Sequence, residues 1–347
     1  MYPVPGNRAS CFYNRAMKWL RSAIARLIPD IVLDLLGKLG IRKFRYRMRK
    51  DSGNSRPVAT DFSLAVPFSY PVTPQINRRP IGIVCHLFHA DLAEWMLSAL
   101  GGIDLSADVY ISTDTPKKAD FIRGVFSRWE KGSVAVRVVE NRGRDIAPKL
   151  ITFADVYAQH DLVLLLHSKK SPHYDFGEAW RDYLVQSLAG SSAIVNSVLA
   201  IFDTCPSVGM VIPQHYSGLR AVSRLDWGWN FRKARRLASR MNIDISADGY
   251  IDMPSGSMLW ARPQALKPFL NLHLSFDDFP AEPLPDDGTL AHCIERLFLF
   301  ACEKAGYTWL KVSLEPAATS VRIEQAVDIE RFVAQHRFDL LRPSTIP

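Results

Sequence analysis

The amino-acid sequence predicts an α/β fold in which a mostly parallel, Rossmann-type sheet is flanked by helices and preceded by a basic amphipathic helical arm. Short apolar runs alternate with longer amphipathic segments from residue 81 onwards, which is the pattern of successive βαβ units. Residues 161–166 (DLVLLL) are apolar almost throughout, as expected for a strand buried on both faces. Residues 1–50 differ from the rest because they hold twelve Lys and Arg against two Asp.

The composition favours one large globular domain with extensions. The chain has 347 residues, of which 48% are hydrophobic and 22% are charged. A run of about 18 apolar residues, which a membrane-spanning helix needs, is not found. We expect a cytoplasmic protein, because the first residues lack the pattern of a secretory signal. Five cysteines without CxxC spacing are interpreted as reduced core thiols rather than zinc ligands or disulfides.

The arm over residues 1–50 carries a net charge of +10, whereas the whole chain carries +8, so the remainder is close to neutral. Apolar residues recur at helical spacing between residues 17 and 35, with Pro29 expected to divide the helix. An apolar stripe flanked by Lys and Arg suits a helix lying on an anionic membrane surface. The alternatives are a helix packed on the domain or a nucleic-acid arm. We expect no nucleic-acid partner, because the body lacks a basic excess.

The elements of the remaining chain follow from apolar runs and their turn residues. Residues 51–80 are rich in Pro and are interpreted as a linker, residues 81–314 as the domain, and residues 315–347 as a tail with a helix over 329–335. Strands are predicted over residues 81–88, 107–113, 134–139, 161–166, 208–213, 255–261 and 307–312. Helices are predicted over residues 91–100, 119–129, 180–202 and 286–306. Two further helices are predicted, one after the loop 141–145 and one that begins at residue 264.

Polar residues after the third predicted strand form the sequence NRGRD. Asn141 and the backbone N–H groups that follow would lie at a helix N-terminus, where anions bind. Arg142 and Arg144 are planar donors suited to phosphate oxygens. Asp145 could accept a ribose or sugar hydroxyl, or it could pair within the loop as a structural cap. We predict that these four residues line a donor ligand.

A cationic cluster follows the predicted strand 161–166. Open α/β sheets bind ligands beyond the carboxyl ends of their strands, and this loop carries His167, Lys169 and Lys170. Two ammonium groups at this edge indicate an anionic ligand such as a nucleotide diphosphate. Arg181, in the next helix, could reach the same anion. The alternative is an ordinary solvated turn.

Carboxylates between residues 277 and 287 provide candidates for a general base. Deprotonating a sugar hydroxyl requires a carboxylate close to the attacking oxygen, and Glu282, Asp286 and Asp287 precede a helix. The sequence does not rank Asp286 against Asp287, and either could instead be only a helix N-cap. The motifs GxSxG, GxxxxGK[ST] and GxGxxG are absent, which argues against an esterase, a P-loop kinase and a dinucleotide oxidoreductase.

Several ordered motifs resemble a known family. The segments HLFHADLAEWML, ENRGRDIAPKL, HSKKSPH, WRDYL, GSMLWARPQAL and DDGTLAHCIERLF together resemble the rhamnan synthesis protein F family of bacterial polysaccharide glycosyltransferases, over about residues 80–310. Their order also resembles that of GT-A transferases. On that mapping the HSKK sequence occupies the place of the metal-binding Asp-x-Asp motif, and residues 282–287 occupy the place of the catalytic base.

The resemblance implies transfer of rhamnose or another deoxyhexose from a nucleotide-sugar donor to a lipid-linked O-antigen or cell-wall glycan at the cytoplasmic membrane face. Lysines in place of Asp-x-Asp would make an inverting transfer independent of any metal cofactor, with Asp287 or Asp286 as the base. Trp229, Asn230 and Trp260 would contact the acceptor, although each Trp could instead be core packing.

Two alternatives to that mechanism remain open. One is a retaining transferase that uses Mg or Mn, with His86 or His89 helping to bind the ion, although two histidines alone are weak evidence for a metal site. The other is a non-catalytic scaffold of a polysaccharide assembly complex, which would keep the sheet without turning over a donor.

Overall fold

The computed structural model describes residues 54–73, 79–171, 174–222, 225–314, 319–336 and 339–341. The predicted helical arm over residues 1–50 lies outside these residues. Strands are found at β1 (Asn54–Ser55), β2 (Ser63–Ala65), β3 (Ile81–His86), β4 (Ala107–Thr113), β5 (Val134–Val138), β6 (Val163–His167), β7 (Val208–Pro213), β8 (Tyr250–Ile251), β9 (Leu259–Ala261), β10 (Thr308–Ser313) and β11 (Ser320–Val321).

Nine of these strands form one sheet in the order β11-β2-β10-β7-β9-β6-β3-β4-β5, and β1 pairs separately with β8. Within the described chain, neighbouring strands of the large sheet run parallel except at β9, which is antiparallel to both β6 and β7. The prediction of a mostly parallel α/β sheet flanked by helices is confirmed.

The described helices are α1 (Ala93–Ala99), α2 (Pro116–Phe126), α3 (Gly177–Ala189), α4 (Ser192–Thr204), α5 (Ser217–Val222), α6 (Phe231–Arg240), α7 (Pro263–Leu270), α8 (Leu290–Lys304) and α9 (Ala326–Gln335). The prediction of a single helix over residues 180–202 is wrong, because the chain forms two helices there, α3 and α4. The Ser191 side chain accepts a hydrogen bond from the Ile194 N–H and so caps the start of α4. The helix expected after residue 145 is a short π-helical turn, Pro148–Thr152.

The linker predicted over residues 51–80 contributes a strand to the sheet. β2 lies between β10 and β11, and Leu64 in it is fully buried. β11 belongs to the segment interpreted as a tail. The predicted domain limits at residues 81 and 314 are therefore too narrow. A strand of three residues next to several prolines gives too short a pattern to recognise in the sequence.

Apolar side chains fill both faces of the sheet. Alternate residues of β6 point to opposite layers, with Leu164 in one cluster and Leu165 in the other. The first cluster packs against α1–α4 and α9, and the second against α6–α8. Cys85, Cys205, Cys293 and Cys302 are buried free thiols, as predicted.

The described helices are short relative to a membrane-spanning helix. No single helix in the described ranges is long and apolar enough to cross a membrane. Helices α3 and α4 meet those criteria only as a pair, bent by 61° at the break between them.

The polarity of the strands brings distant residues to one edge. β3 and β6 are parallel neighbours, so the residues that end them, His86 and His167, lie at the same edge. β7 runs in the same direction as β6, because β9 lies between them and is antiparallel to both. β9 runs in the opposite direction, so the loop before it, residues 252–258, returns to that edge. The predicted site residues therefore meet a loop that the sequence did not point to.

Candidate functional site

A buried polar cluster lies where β6 ends. The Lys149 side chain is fully buried, and its Nζ donates to Asp145 Oδ2 at 2.8 Å and to the Ser257 carbonyl at 2.7 Å. His167 Nε2 lies 2.9 Å from the Gly256 carbonyl, and because a carbonyl only accepts, Nε2 is the protonated nitrogen. The same nitrogen is 3.9 Å from Asp145 Oδ2. Asp145 therefore faces the Lys149 ammonium and the protonated nitrogen of His167.

Burial sets the protonation of this cluster. It lowers the pKa of His167 to about 3, so the ring is neutral at neutral pH. Burial alone would raise the pKa of Asp145, but His167 and the Lys149 ammonium hold that pKa well below its usual range. The cluster thus contains a carboxylate that stays ionised and a histidine that serves as a neutral N–H donor.

Lys169 extends from this cluster as a partly buried cation. Its Nζ lies 3.9 Å from the centre of the Trp180 ring, a cation–π contact. Burial lowers the pKa of Lys169, and the nearby carboxylates of Glu295 and Asp145 oppose that shift. Within the described ranges, the ammonium makes no hydrogen bond or ion pair within bonding distance. An ammonium held in this way is suited to bind an anionic group.

Gly256 makes room beside Lys169. Its φ is +94°, and a Cβ there would lie 2.6 Å from the Leu184 side chain and 3.8 Å from the Lys169 side chain. A larger residue at this position would clash with Leu184, whereas its distance from the Lys169 side chain would be an ordinary van der Waals contact.

Lys170 and Arg181 are held by other protein groups. Lys170 is exposed, and its Nζ donates to Asp91 Oδ2 at 2.5 Å. Arg181 is buried, its Nε donates to Asp182 Oδ1 at 2.9 Å, and its guanidinium lies 4.5 Å from the Trp95 ring centre. The structure does not support the prediction that Arg181 reaches the same anion as the lysines. Of these three cations, Lys169 is the best placed to bind an anionic group.

The NRGRD loop is bound to the acidic segment that follows α7. Arg142 Nη1 donates to Asp277 Oδ1 at 2.7 Å, and Arg144 Nη2 donates to the Pro285 carbonyl at 3.0 Å. Arg144 Nη1 also lies 3.2 Å from His292 Nε2. Asn141 is exposed. The two arginines therefore join the predicted donor loop to the predicted source of the base.

Asp287, in the acidic segment, is held by donors from two other elements. Its Oδ1 accepts from Asn230 Nδ2 at 2.6 Å, and its Oδ2 accepts from the Trp229 N–H at 3.1 Å. Arg296 Nη2 is 3.5 Å from Oδ1. Asp286 and Glu282 are exposed. The structure thus separates Asp287 from the other two candidates.

The alternative role of Asp286 or Asp287 as a helix N-cap is wrong. α8 begins at Leu290, and its N-cap is Thr289, which forms a capping box with His292. The two aspartates precede this N-cap residue in the chain.

The prediction that Trp260 and Asn230 contact the acceptor is wrong, because both side chains are buried. Trp260 lies in β9 with no exposed surface, and its Nε1 donates to the Leu188 carbonyl at 2.9 Å. Asn230 is also fully buried and serves to hold Asp287. Neither side chain can contact an acceptor. Trp229 is partly exposed and remains a candidate.

Two polar residues of the site were not predicted. Lys149 follows Asp145 by four residues, a spacing that would have indicated a pair on one helical turn. Glu295 Oε1 accepts from the Gly256 N–H at 2.8 Å and so fixes the loop beside Lys169. For Glu295 the sequence offered no signal, because its partner lies 39 residues away.

A second buried network holds the same loop from the other side. Lys311 has no exposed surface, and its Nζ donates to Asp61 Oδ1 at 2.5 Å and Asp252 Oδ2 at 2.6 Å. Burial lowers the pKa of Lys311 to about 8, against the opposing effect of Asp252. Asp252 Oδ1 is 3.0 Å from His215 Nε2, and His215 Nδ1 is 3.0 Å from Ser255 Oγ. The chain of contacts ends next to Gly256.

Replacing Lys311 by Met is expected to lower the free energy of unfolding by about 3–5 kcal/mol, because it removes the buried cation that Asp61 and Asp252 share. Each carboxylate then keeps a partly exposed arginine as its cationic partner, Arg220 for Asp61 and Arg56 for Asp252. The loss would be measured by urea denaturation followed by circular dichroism. Lys304→Met, at an exposed position in the last turn of α8, is the control and should cost less than about 1 kcal/mol. Equal midpoints for the two variants would contradict the expectation.

Of the two histidines considered for a metal, His86 is held by another protein group. His86 is buried, its Nδ1 is 3.0 Å from Ser112 Oγ, and burial lowers its pKa to about 4. Among the described residues, no three His, Cys, Asp or Glu side chains converge in a way that could hold a metal ion.

Two curated proteins are similar in sequence to this chain. The chain is 34% identical over 226 residues to the uncharacterized protein WxcX of Xanthomonas campestris pv. campestris, in strain B100 and in strain ATCC 33913 alike. The match covers 65% of this chain and 32% of the relative, so the chain spans about a third of the length of these relatives.

Solved structures show weaker similarity. The mannosyltransferase PcManGT from Pyrobaculum calidifontis, in complex with GDP-Man and Mn²⁺, has a TM-score of 0.39 and 15% identity, over 71% of this chain and 60% of that one. The 4-diphosphocytidyl-2C-methyl-D-erythritol synthase from Anaerococcus prevotii has a TM-score of 0.35 and 10% identity, over 75% and 96%. These values are too low to support an argument about function.

A protein-family model matches most of this chain. The model of the family described as rhamnan synthesis protein F matches residues 58–307, which is more than half of the chain. This range includes β2, confirming that the segment first interpreted as a linker belongs with the domain. The resemblance seen in the sequence motifs is confirmed: the chain belongs to the rhamnan synthesis protein F family.

Proposed function

We propose that this protein is a glycosyltransferase of polysaccharide synthesis, which moves a sugar from a nucleotide-sugar donor to a glycan acceptor. The observation that carries the proposal is the Lys169 ammonium, which is partly buried against Trp180 at the ligand edge of the sheet. Its position suits the diphosphate of a nucleotide sugar. Membership of the family, whose name refers to rhamnan synthesis, supports the same conclusion.

The proposed reaction is a single displacement that inverts the anomeric carbon. Asp287 takes the proton of an acceptor hydroxyl as its oxygen attacks the anomeric carbon. The bond from that carbon to the phosphate oxygen breaks, and the nucleoside diphosphate leaves with the electron pair. Lys169 stabilises the negative charge of the leaving group, and Arg144 lies on the side of the Asp287 segment.

The donor sugar, acceptor and location are parts of the same proposal. We infer a donor carrying rhamnose or another deoxyhexose from the family name. A lipid-linked glycan would place the protein at the cytoplasmic membrane face. Lys169 supplies the charge that a metal provides in other transferases, so turnover is expected without Mg or Mn.

A donor screen tests the proposal. The full-length protein is incubated with nucleoside diphosphate sugars that carry hexoses or 6-deoxyhexoses, together with an isolated lipid-linked glycan, and products are identified by mass spectrometry. We expect one donor to extend the glycan and to release nucleoside diphosphate, in EDTA as well as without it. Loss in EDTA with recovery on added Mn would favour the metal-dependent alternative. Release from no donor would favour the non-catalytic scaffold.

A further inference from the structure

Helix α6 presents a basic face that the proposed chemistry does not use. Its ten residues, FRKARRLASR, include five Lys and Arg and no Asp or Glu. Ala234, Leu237 and Ala238 are buried against the domain. The cations therefore project from the other side of the helix, where Lys233, Arg235, Arg236 and Arg240 are exposed.

Nearby carboxylates do not neutralise this face. An open groove of about 520 Å³ runs beside the helix and is lined by Arg236, Asp277 and Asp278 among others. Asp277 pairs with Arg142. Asp278 accepts from the neutral Ser275 N–H and so keeps one negative charge beside the groove, against the five cations of α6. In the described ranges, the guanidinium groups of Arg235 and Arg236 make no hydrogen bond or ion pair. The face thus keeps its positive charge.

The basic face is continuous with the segment that holds the proposed base. Asn230, at the N-cap of α6, donates to Asp287. One turn later, Lys233 Nζ donates to the Gly288 carbonyl at 2.7 Å. Whatever binds the exposed side of α6 would therefore lie next to the acceptor side of the site.

We propose that this face of α6 rests on the anionic phospholipid headgroups of a membrane. The inference rests on the proposed function, because it places the Asp287 segment close to where the reactive end of a lipid-linked acceptor would lie. Cations on one helix face, without exposed aromatic side chains, suit a charged surface better than single-stranded nucleic acid, which needs aromatic rings for base stacking. The near-neutral charge of the chain after residue 50 agrees with this choice.

The test compares two full-length variants that lose the same charge. Arg235→Gln with Arg236→Gln removes two cations from α6, and Lys117→Gln with Lys304→Gln removes two exposed cations elsewhere. Binding is measured by co-sedimentation with phosphatidylcholine vesicles that contain phosphatidylglycerol. We expect the α6 variant to bind roughly 25-fold more weakly, since each basic residue near such a surface adds about fivefold. For the control variant, the loss of binding free energy should be less than about half of that for the α6 variant. Vesicles of phosphatidylcholine alone should bind all the proteins weakly.

A local probe separates α6 from the basic residues 1–50. An environment-sensitive dye is attached at Ser239→Cys, at the exposed end of α6, in a Cys11→Ser background. Its emission should shift to the blue when the anionic vesicles are added, and the Arg235/Arg236 variant should reduce the shift. Unchanged emission, or equal loss of binding in both charge variants, would overturn the inference. So would tight binding to duplex DNA that the α6 variant alone removes.

The outcomes also separate this inference from the proposed function. Normal donor turnover with unchanged vesicle binding would refute the membrane contact alone. Weaker vesicle binding of the α6 variant, in a protein that releases nucleoside diphosphate from no donor, would refute the proposed function alone. Circular dichroism of each variant checks that the fold is kept.

Discussion

Replacing Lys169 by Ala is expected to lower the rate of sugar transfer by about 10²–10³-fold, the usual effect of removing one group that stabilises charge in a transition state. The expectation follows from its surroundings: the ammonium lies on Trp180, is partly buried, and is surrounded by a polar cluster that includes Asp145 and Glu295. Water does not replace a cation well at such a position. The rate would be measured as nucleoside diphosphate released per unit time at saturating donor.

Lys170→Ala is the matched control for this prediction. Lys170 is the next residue, carries the same charge, and pairs with Asp91 at the surface. Its loss should change the rate by no more than a few-fold, since exposed ion pairs contribute little. Similar losses in the two variants would show that the site needs only a general positive charge. A normal rate for Lys169→Ala would remove the proposed leaving-group role.

Replacing Asp287 by Asn is expected to lower kcat by about 10²–10⁴-fold with little change in KM for the donor, because a general base acts in the transition state. The variant should fold, since the amide oxygen of Asn can still accept from the Trp229 N–H. The pH dependence of kcat/KM gives a second readout. Its acidic limb should disappear in the variant if Asp287 is the group that must be ionised.

Asp286→Asn is the control for the base, because Asp286 is adjacent and exposed. Its rate should stay within a few-fold of the unmodified protein. Glu295→Gln tests the competing assignment, since Glu295 is the carboxylate held beside Lys169 by the Gly256 N–H. A normal rate for Asp287→Asn together with a large loss for Glu295→Gln would assign the base to Glu295 instead.

Local patterns in the sequence were sufficient to predict much of the fold. The strands Ala107–Thr113 and Val208–Pro213 match their predicted limits, because each contains a short run of apolar, largely β-branched or aromatic residues bounded by turn residues. Residues 161–166 correctly indicated a buried strand inside the sheet, which the structure places at Val163–His167. Periodicity and apolar content carry this information within a single segment.

Contacts between distant segments could not be predicted in this way. Nothing near β9 indicates that it runs antiparallel between β6 and β7, so the approach of Gly256 to Lys169 was missed. Trp229 and Trp260 look alike in the sequence, but Trp260 lies in a strand covered on both faces. Lys169 and Lys170 are likewise indistinguishable until the fold shows which neighbours each one meets.

The network around Lys311 has a consequence for how kinetic data on this protein should be interpreted. Through Asp252, His215 and Ser255 it supports the same short peptide that Glu295 and Lys149 bind from the opposite side. A substitution there is expected to shift the backbone of residues 255–257, which lie at the same edge of the sheet as His167, even while the protein stays folded. Impaired turnover at such a position would then reflect misplacement of Lys169 rather than lost contact with a substrate.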